Sequence, residues 1–184
     1  MPAPAMSVAP LPDRVEIFLS EGQLRDRVRE LGRQIARDHA GLPLTLVGVL
    51  KGSFVFLADL CRAVDLPLEV DFVGATSYEG TTTTGEVRIT RDLQRPVEGR
   101  HVVLVEDILD TGLTMRRLLD VLSAHRPASL KVCALLEKPS RARVRIPLDY
   151  RGFVIGDEFV VGYGLDHEER HRNLPYVGVL RGVR

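Results

Sequence analysis

A chain of 184 residues, 45% hydrophobic and 27% charged, suffices for one compact domain with its own apolar core and at most a small appendage. Its 25 basic and 25 acidic residues cancel to a formal charge of zero, which removes the broad basic field that non-specific nucleic-acid or membrane-surface binding needs, so any phosphate site is local. No apolar run approaches the roughly 18 residues of a membrane span, and Cys61 and Cys133 sit in apolar runs without ligand or redox spacing, which predicts buried, reduced thiols and a cytoplasmic setting.

The Pro/Ala-rich start, MPAPAMSVAP, has neither the basic end nor the apolar centre of a signal peptide, so residues 1–12 are expected to be a disordered leader before a single domain over 13–184. Ser20 and Gln23 form a capping-box pair, after which Leu24, Val28, Leu31 and Ile35 recur at helical spacing until Gly41 stops the pattern. The continuous apolar run LTLVGVL at 44–50 predicts a strand covered on both faces, and a second helix follows from about 53 to 63. Leu68, Val70 and Phe72 alternate with Glu69 and Asp71, and residues 86–90 alternate again, as half-buried strands able to pair as a hairpin. Between them SYEGTTTTG, residues 77–85, is too polar for a core and long enough to move, a candidate lid.

Residues 101–105 make a third strand running into Glu106, Asp107 and a turn, after which Met115, Leu118, Leu119 and Leu122 form a helical stripe; residues 131–136 make a fourth strand. Strands alternating with helices predict an α/β fold, a parallel sheet with helices on both faces that binds ligands beyond the strands' carboxyl ends. After Pro147 the chain turns rich in Gly, aromatics and charge, with strand-like runs at 152–155 and 159–161. The expected organisation is a core over about 40–145 and a small cap built from the N-terminal segment and about 147–184. There is no internal repeat.

The chemistry concentrates in VEDILDTGLTM, residues 105–115: two adjacent acids close a buried strand, and a third acid precedes Thr111, Gly112 and Thr114 at a helix start. A helix N-terminus offers unpaired N–H groups and a positive dipole end, Gly112 lets backbone approach an anion, and the threonines add donors, which suits a phosphomonoester. Glu106 and Asp107 are repelled from that phosphate and suit sugar hydroxyls or a hydrated Mg2+. The plainer alternative is a strand-to-helix turn capped by Asp107.

The same segment resembles the signature of the type I phosphoribosyltransferases, which bind 5-phosphoribosyl 1-diphosphate. From about 15 to 180 the chain resembles their hypoxanthine(-guanine) branch through LKGS at 50–53, SYEG at 77–80, LLEKPSR at 135–141 and FVVGYGLDHEERHRNLPYVGVL at 159–180. The resemblance implies a parallel-sheet core with a small hood and a flexible β-hairpin lid. It also implies purine salvage in the cytoplasm: a small-molecule 6-oxopurine displaces pyrophosphate from the ribose in a homodimer or homotetramer, with no nucleic-acid or membrane partner. It places the phosphoribosyl group on Glu106, Asp107, Ile108, Asp110, Thr111, Gly112, Leu113 and Thr114, and the pyrophosphate on Lys51, Gly52 and Arg172, with a cis peptide before Lys51. Mg2+ is implied near Glu106 and Asp107, with a second ion near Asp166.

Asp110 takes the family's position for proton exchange at the purine N7; its plainer role is to cap the turn. Lys138 matches a donor to the purine 6-oxo group, which a 6-amino base cannot satisfy, so adenine should be a poor substrate. Phe159 is placed to stack on the base or, alternatively, to fill the cap's core. Backbone groups of Val160 and Asp166 read the other purine edge, Gly162 and Gly164 favour close ligand approach, and Ser77 and Tyr78 belong to the lid. One departure is Leu113, where some members carry lysine, at the cost of a peripheral charge.

His167 to His171 fits the H-E-x-x-H zinc pattern, but Gly162, Gly164 and Pro175 flank it and no amphipathic stripe surrounds it, so a charged surface turn is expected. His39, His101 and His125 stand alone near element ends and receive no role. Rival readings are a xanthine- or guanine-preferring transferase and an RNA-binding regulator on the same fold.

Overall fold

The computed structural model describes residues 14–77 and 87–182; the leader at 1–12 and the lid positions from Tyr78 to Gly85 lie outside the described residues. In chain order the elements are β1 (Arg14–Leu19), α1 (Glu21–Asp38), β2 (Leu44–Leu50), α2 (Phe54–Ala63), β3 (Leu68–Ser77), β4 (Val87–Arg91), β5 (His101–Leu109), α3 (Leu113–Ala124), β6 (Ser129–Glu137), β7 (Tyr150–Val154), β8 (Val160–Val161) and β9 (Val177–Arg181).

The capping box forms as its spacing predicts. Ser20 Oγ accepts from Gln23 N at 3.4 Å while Ser20 N donates to Gln23 Oε1 at 2.9 Å, which satisfies donors that the first turn of α1 would leave open. Leu24, Val28, Leu31 and Ile35 are then all buried. Leu31→Ala removes a fully buried side chain from this stripe and is expected to cost about 3 kcal/mol, read as a lower denaturant midpoint with unchanged slope.

The main sheet has six strands in the order β4-β3-β2-β5-β6-β7, parallel except for the antiparallel edge strand β4, so the two alternating segments do form a hairpin arm. Leu44, Leu46, Val103 and Val105 face one cluster with α1, α2 and the cap strands, while Val47, Val49, Val102 and Leu104 face α3. Both faces of β2 are therefore buried, which explains its unbroken apolar run. Among the described residues no helix is long and apolar enough to cross a membrane.

The structure corrects several expectations. The run at 152–155 belongs to β7, which joins the main sheet beside β6 in the register Cys133↔Tyr150 and Leu136↔Phe153; the cap consists of β1, β9 and β8. A five-residue run carries no mark of which sheet it joins. In β3 the alternation is not inside-out: Val70 is 43% exposed, whereas Asp71 is only 7% exposed. The Asp71 carboxylate accepts N–H groups from Phe72, Gln94 and Arg95 at 2.7, 2.8 and 3.2 Å, so a buried acid fastens the segment after β4. Cys133 is buried, and burial pushes its thiol pKa up, but Cys61 is only partly covered. The three histidines all have partners: His39 Nδ1 lies 2.9 Å from Ile35 O, His101 Nδ1 lies 2.8 Å from Ser129 Oγ, and His125 lies 3.5 Å from Asp92.

Because β2, β5 and β6 run parallel, Leu50, Leu109 and Glu137 all end at one edge of the sheet. Lys51, Asp110 and Lys138 follow those ends directly, so three segments distant in sequence open into one region.

Candidate active site

β5 runs on through Glu106 and Asp107 to Leu109, four residues beyond the expected end, so the turn proper is Asp110 to Gly112. Gly112 has φ +81° and caps α3 without a side-chain hydrogen bond. The amide N–H groups at the start of that helix border a hollow of about 80 Å3 lined by Glu106, Ile108, Asp110, Thr111, Gly112 and Thr114. That is room for two or three waters, at roughly 30 Å3 each, and hence for one phosphate group. Glycine is required here for the left-handed turn and for packing: a Cβ on Gly112 would lie 2.5 Å from Val144 O. Thr111 O also accepts N–H groups from Arg143 and Val144 at 3.0 and 3.1 Å, which lays the segment after Lys138 across the turn.

Asp107 lies directly against Gly52, where a Cβ would fall 1.7 Å from Oδ2, so only glycine fits opposite the carboxylate. Asp107 Oδ1 accepts from Ile108 N at 2.8 Å and Glu106 Oε1 from Asp107 N at 3.3 Å. Burial, reinforced by the charge of Asp107, pushes the Glu106 carboxyl well above the usual range, and burial also raises Asp107. Two adjacent carboxyls whose affinity for protons burial raises are a hard-oxygen donor set for a hydrated divalent cation. Among the described residues no third His, Cys, Asp or Glu completes a cluster, so the remaining positions would fall to ligand oxygens and water.

This raised affinity has a stability consequence. Between the usual value of 4.5 and the raised one, the folded state binds more protons than the unfolded state, so stability falls as pH rises through that window. Glu106→Gln cannot ionise and is expected to melt above the wild type at about pH 8 in chelator, the gap closing towards pH 4.5. An equal gap at both pH values would show that charge is not its cause.

The Leu50–Lys51 peptide is cis, as the resemblance implies. Lys51 Nζ meets Glu169 Oε1 at 3.0 Å, and this contact holds the Glu169 carboxyl below its usual range. Arg172 pairs with Asp166 at 2.8 Å and with Glu169 at 3.4 Å, and donates to Gly164 O at 2.8 Å; among the described residues its buried Nε has no hydrogen-bond partner. Both Lys51 and Arg172 thus converge on Glu169. A Cβ on Gly164 would stand 2.1 Å from Gly52 O and one on Gly162 2.1 Å from Tyr176 O, so these glycines admit neighbouring backbone rather than a ligand. His167 N and Arg170 O pair across a tight turn with Glu168 and Glu169 at φ 51° and 63°, so the two histidines share no helix face.

On the other side Lys138 is buried, its Nζ donating to Glu158 O at 2.8 Å and its N to Leu109 O at 2.9 Å. Asp110 does not cap the turn; its Oδ1 accepts from Arg141 Nε at 2.7 Å. Phe159 is 44% exposed, edge-on to His167 with centroids 5.4 Å apart, and so lies outside the cap's core; Val160 next to it pairs with Val179 in that core. Ser77 ends β3, and Tyr78 lies outside the described residues. A cavity of about 470 Å3 beside Asp110 and Lys138 opens on the α3 face with Leu109 and Ile146. A larger one of about 680 Å3, between α1, α2 and residues 172–175, touches only Arg172 of the ligand-binding residues expected from sequence.

Residues 15–168 match the family model for the phosphoribosyl transferase domain. The chain belongs to the phosphoribosyltransferase family. It is 48% identical over 167 residues to the hypoxanthine phosphoribosyltransferase of Salmonella typhimurium, covering 89% of this chain and 94% of that one, and 48% identical to the Haemophilus influenzae enzyme of the same name with the same coverage. A crystal structure of a Staphylococcus aureus hypoxanthine phosphoribosyltransferase superposes with a TM-score of 0.86 at 44% identity, covering 90% and 91% of the two chains.

Within this phosphoribosyltransferase, sequence reasoning missed Glu169, Arg141 and Val144. Glu169 was hidden in a charge run whose only pattern pointed to zinc. Arg141 closes the LLEKPSR motif, but nothing local shows what it or Val144 touches, because that lies about 30 residues earlier in the chain.

Proposed function

We propose that the protein is a purine-salvage enzyme that transfers the 5-phosphoribosyl group of 5-phosphoribosyl 1-diphosphate (PRPP) to hypoxanthine, with guanine as a second acceptor, releasing pyrophosphate. The observation that carries this reading is the placement of a phosphate-sized turn, two cations and a buried lysine at one sheet edge, in a chain 48% identical to hypoxanthine phosphoribosyltransferases along 94% of their length.

The backbone of the turn from Ile108 through Thr114, with the Thr111 and Thr114 hydroxyls, holds the 5-phosphate, and Leu113 contributes only its N–H. Lys51, the N–H of Gly52 and Arg172 take the pyrophosphate, which replaces the carboxylates of Glu169 and Asp166 as their counter-charge. Glu106 and Asp107 would hold a hydrated Mg2+, consistent with two adjacent carboxyls offering hard oxygens at the phosphate hollow. Bound there, the ion would neutralise charge building on the leaving diphosphate. Asp166, whose Oδ1 is released as Arg172 turns to the pyrophosphate while Oδ2 accepts from Glu169 N, would hold a second ion.

Asp110 receives the proton from purine N7 as N9 attacks the anomeric carbon. Lys138, held by Glu158 O through one donor, turns another to the 6-oxo oxygen. Phe159, exposed beside Lys138's partner Glu158, covers the base face, while backbone groups of Val160 and Asp166 meet its far edge. Ser77 and Tyr78 belong to a lid that excludes water, which would otherwise hydrolyse the activated ribose.

Mixing the protein with hypoxanthine, PRPP and Mg2+ should release inosine monophosphate and pyrophosphate in equal amounts; release of free ribose 5-phosphate instead would overturn the transferase reading. Lys138→Ala should lower kcat/KM for hypoxanthine about 100-fold while leaving adenine unchanged, since only a 6-oxo group accepts from the ammonium. Equal losses for both bases would count against this contact.

A further inference from the structure

Asp110 is followed by a turn that fixes its backbone, yet nothing in its own strand or helix fixes its carboxylate. Its Oδ1 accepts from Arg141 Nε at 2.7 Å, and among the described residues Oδ2 has no hydrogen-bond partner. We infer that Arg141 is a positioning residue that holds the Asp110 carboxylate through Oδ1 and leaves Oδ2 aimed at the purine N7 proton. This inference rests on the proposed role of Asp110.

The geometry behind it is a double strap. Lys138 N donates to Leu109 O and Arg143 N to Thr111 O, so the segment 138–143 is bonded to the residues immediately before and after Asp110. Within it, Arg141 N donates to Lys138 O at 3.1 Å, closing the short turn Pro139–Arg141 that sets the origin of the arginine side chain. The backbones of donor and acceptor are therefore fixed relative to each other before the side chains meet. That narrows the geometries in which the two side chains can meet, although their own rotamers still have to be ordered. With side-chain exposures of 49% for Arg141 and 39% for Asp110, the pair adds little to stability, and its effect falls on orientation.

In the proton step the N7–H bond breaks, its electron pair stays on the purine nitrogen, and the proton forms a bond to Asp110 Oδ2. The guanidinium keeps its own protons throughout. The strap also ties together the groups that meet O6 and N7 on one edge of the purine, because Lys138 and Arg141 stand on the same turn.

The test is a double-mutant cycle in the full chain, with kcat, KM and melting temperature measured for Arg141→Ala, Arg141→Lys, Asp110→Asn and Asp110→Asn/Arg141→Ala. Arg141→Ala is expected to lower kcat on the order of tenfold, with KM for PRPP and hypoxanthine within about twofold and the melting temperature unchanged. Arg141→Lys should recover part of the loss, and in the Asp110→Asn background Arg141→Ala should add nothing. Unchanged kcat in Arg141→Ala, a loss confined to KM for the base, or an undiminished loss in the Asp110→Asn background would each overturn the inference while leaving Asp110 as the base. Full turnover in Asp110→Asn alone would overturn the role of Asp110 first, and this inference with it.

Discussion

Asp110→Asn is expected to lower kcat by about 100- to 10,000-fold, the range that a positioned general base supplies, with KM for PRPP nearly unchanged. The amide is isosteric, its oxygen can still accept from Arg141 Nε, and the turn is held by Thr111 O and Gly112 rather than by this side chain. The phosphate hollow therefore survives, and only the proton acceptor is lost. Steady-state kinetics over a range of PRPP concentrations separates the two; a wild-type kcat would show that the purine proton leaves by another route.

Gly112→Ala should act through the opposite half of the site. The residue sits at φ +81°, where an L side chain is strained by roughly 1–2 kcal/mol, and its Cβ would stand 2.5 Å from Val144 O, which is backbone and cannot rotate away. Relief requires moving the strap that carries Lys138 and Arg141, so the expected result is a rise of tenfold or more in KM for PRPP together with lower kcat. Gly41→Ala is the control: it has φ +73° with nothing within 4 Å, so it bears the strain without the clash and should leave kinetics untouched. Kinetic losses of equal size in both variants would mean that backbone strain, not the strap, governs the turn.

Local periodicity made much of this fold legible. The Ser20–Gln23 box, the Leu24/Val28/Leu31/Ile35 stripe and the unbroken apolar run of β2 each express a face or a terminus within a few residues, and each appears where its pattern predicts. What stayed hidden was whatever depends on a partner far along the chain. The acids Glu106 and Asp107 mimic a strand end, yet β5 continues through them because β6 pairs alongside. Asp71 reads as solvent-facing until the segment after β4 supplies its N–H donors. Gly112 and Gly164 suggest room for a ligand in the sequence, whereas in the fold they make room for Val144 and Gly52, and Gly52 makes room for Asp107.

The site divides in the same way. The turn at 110–114 is contiguous and announces itself, and resemblance added Lys51, Lys138, Phe159 and Arg172. The charges that hold these residues, Glu169 for Lys51 and Arg141 for Asp110, lie 118 and 31 residues away from their partners and leave no periodic trace.

Whether the base site selects a 6-oxopurine is decided by steady-state kcat/KM with PRPP and Mg2+ for hypoxanthine, guanine, xanthine, adenine and uracil. The expected result is hypoxanthine and guanine ahead of adenine by at least about 100-fold, because the buried Lys138 ammonium finds no acceptor on a 6-amino base, with uracil inert. Adenine matching hypoxanthine, or turnover of uracil alone, would contradict it.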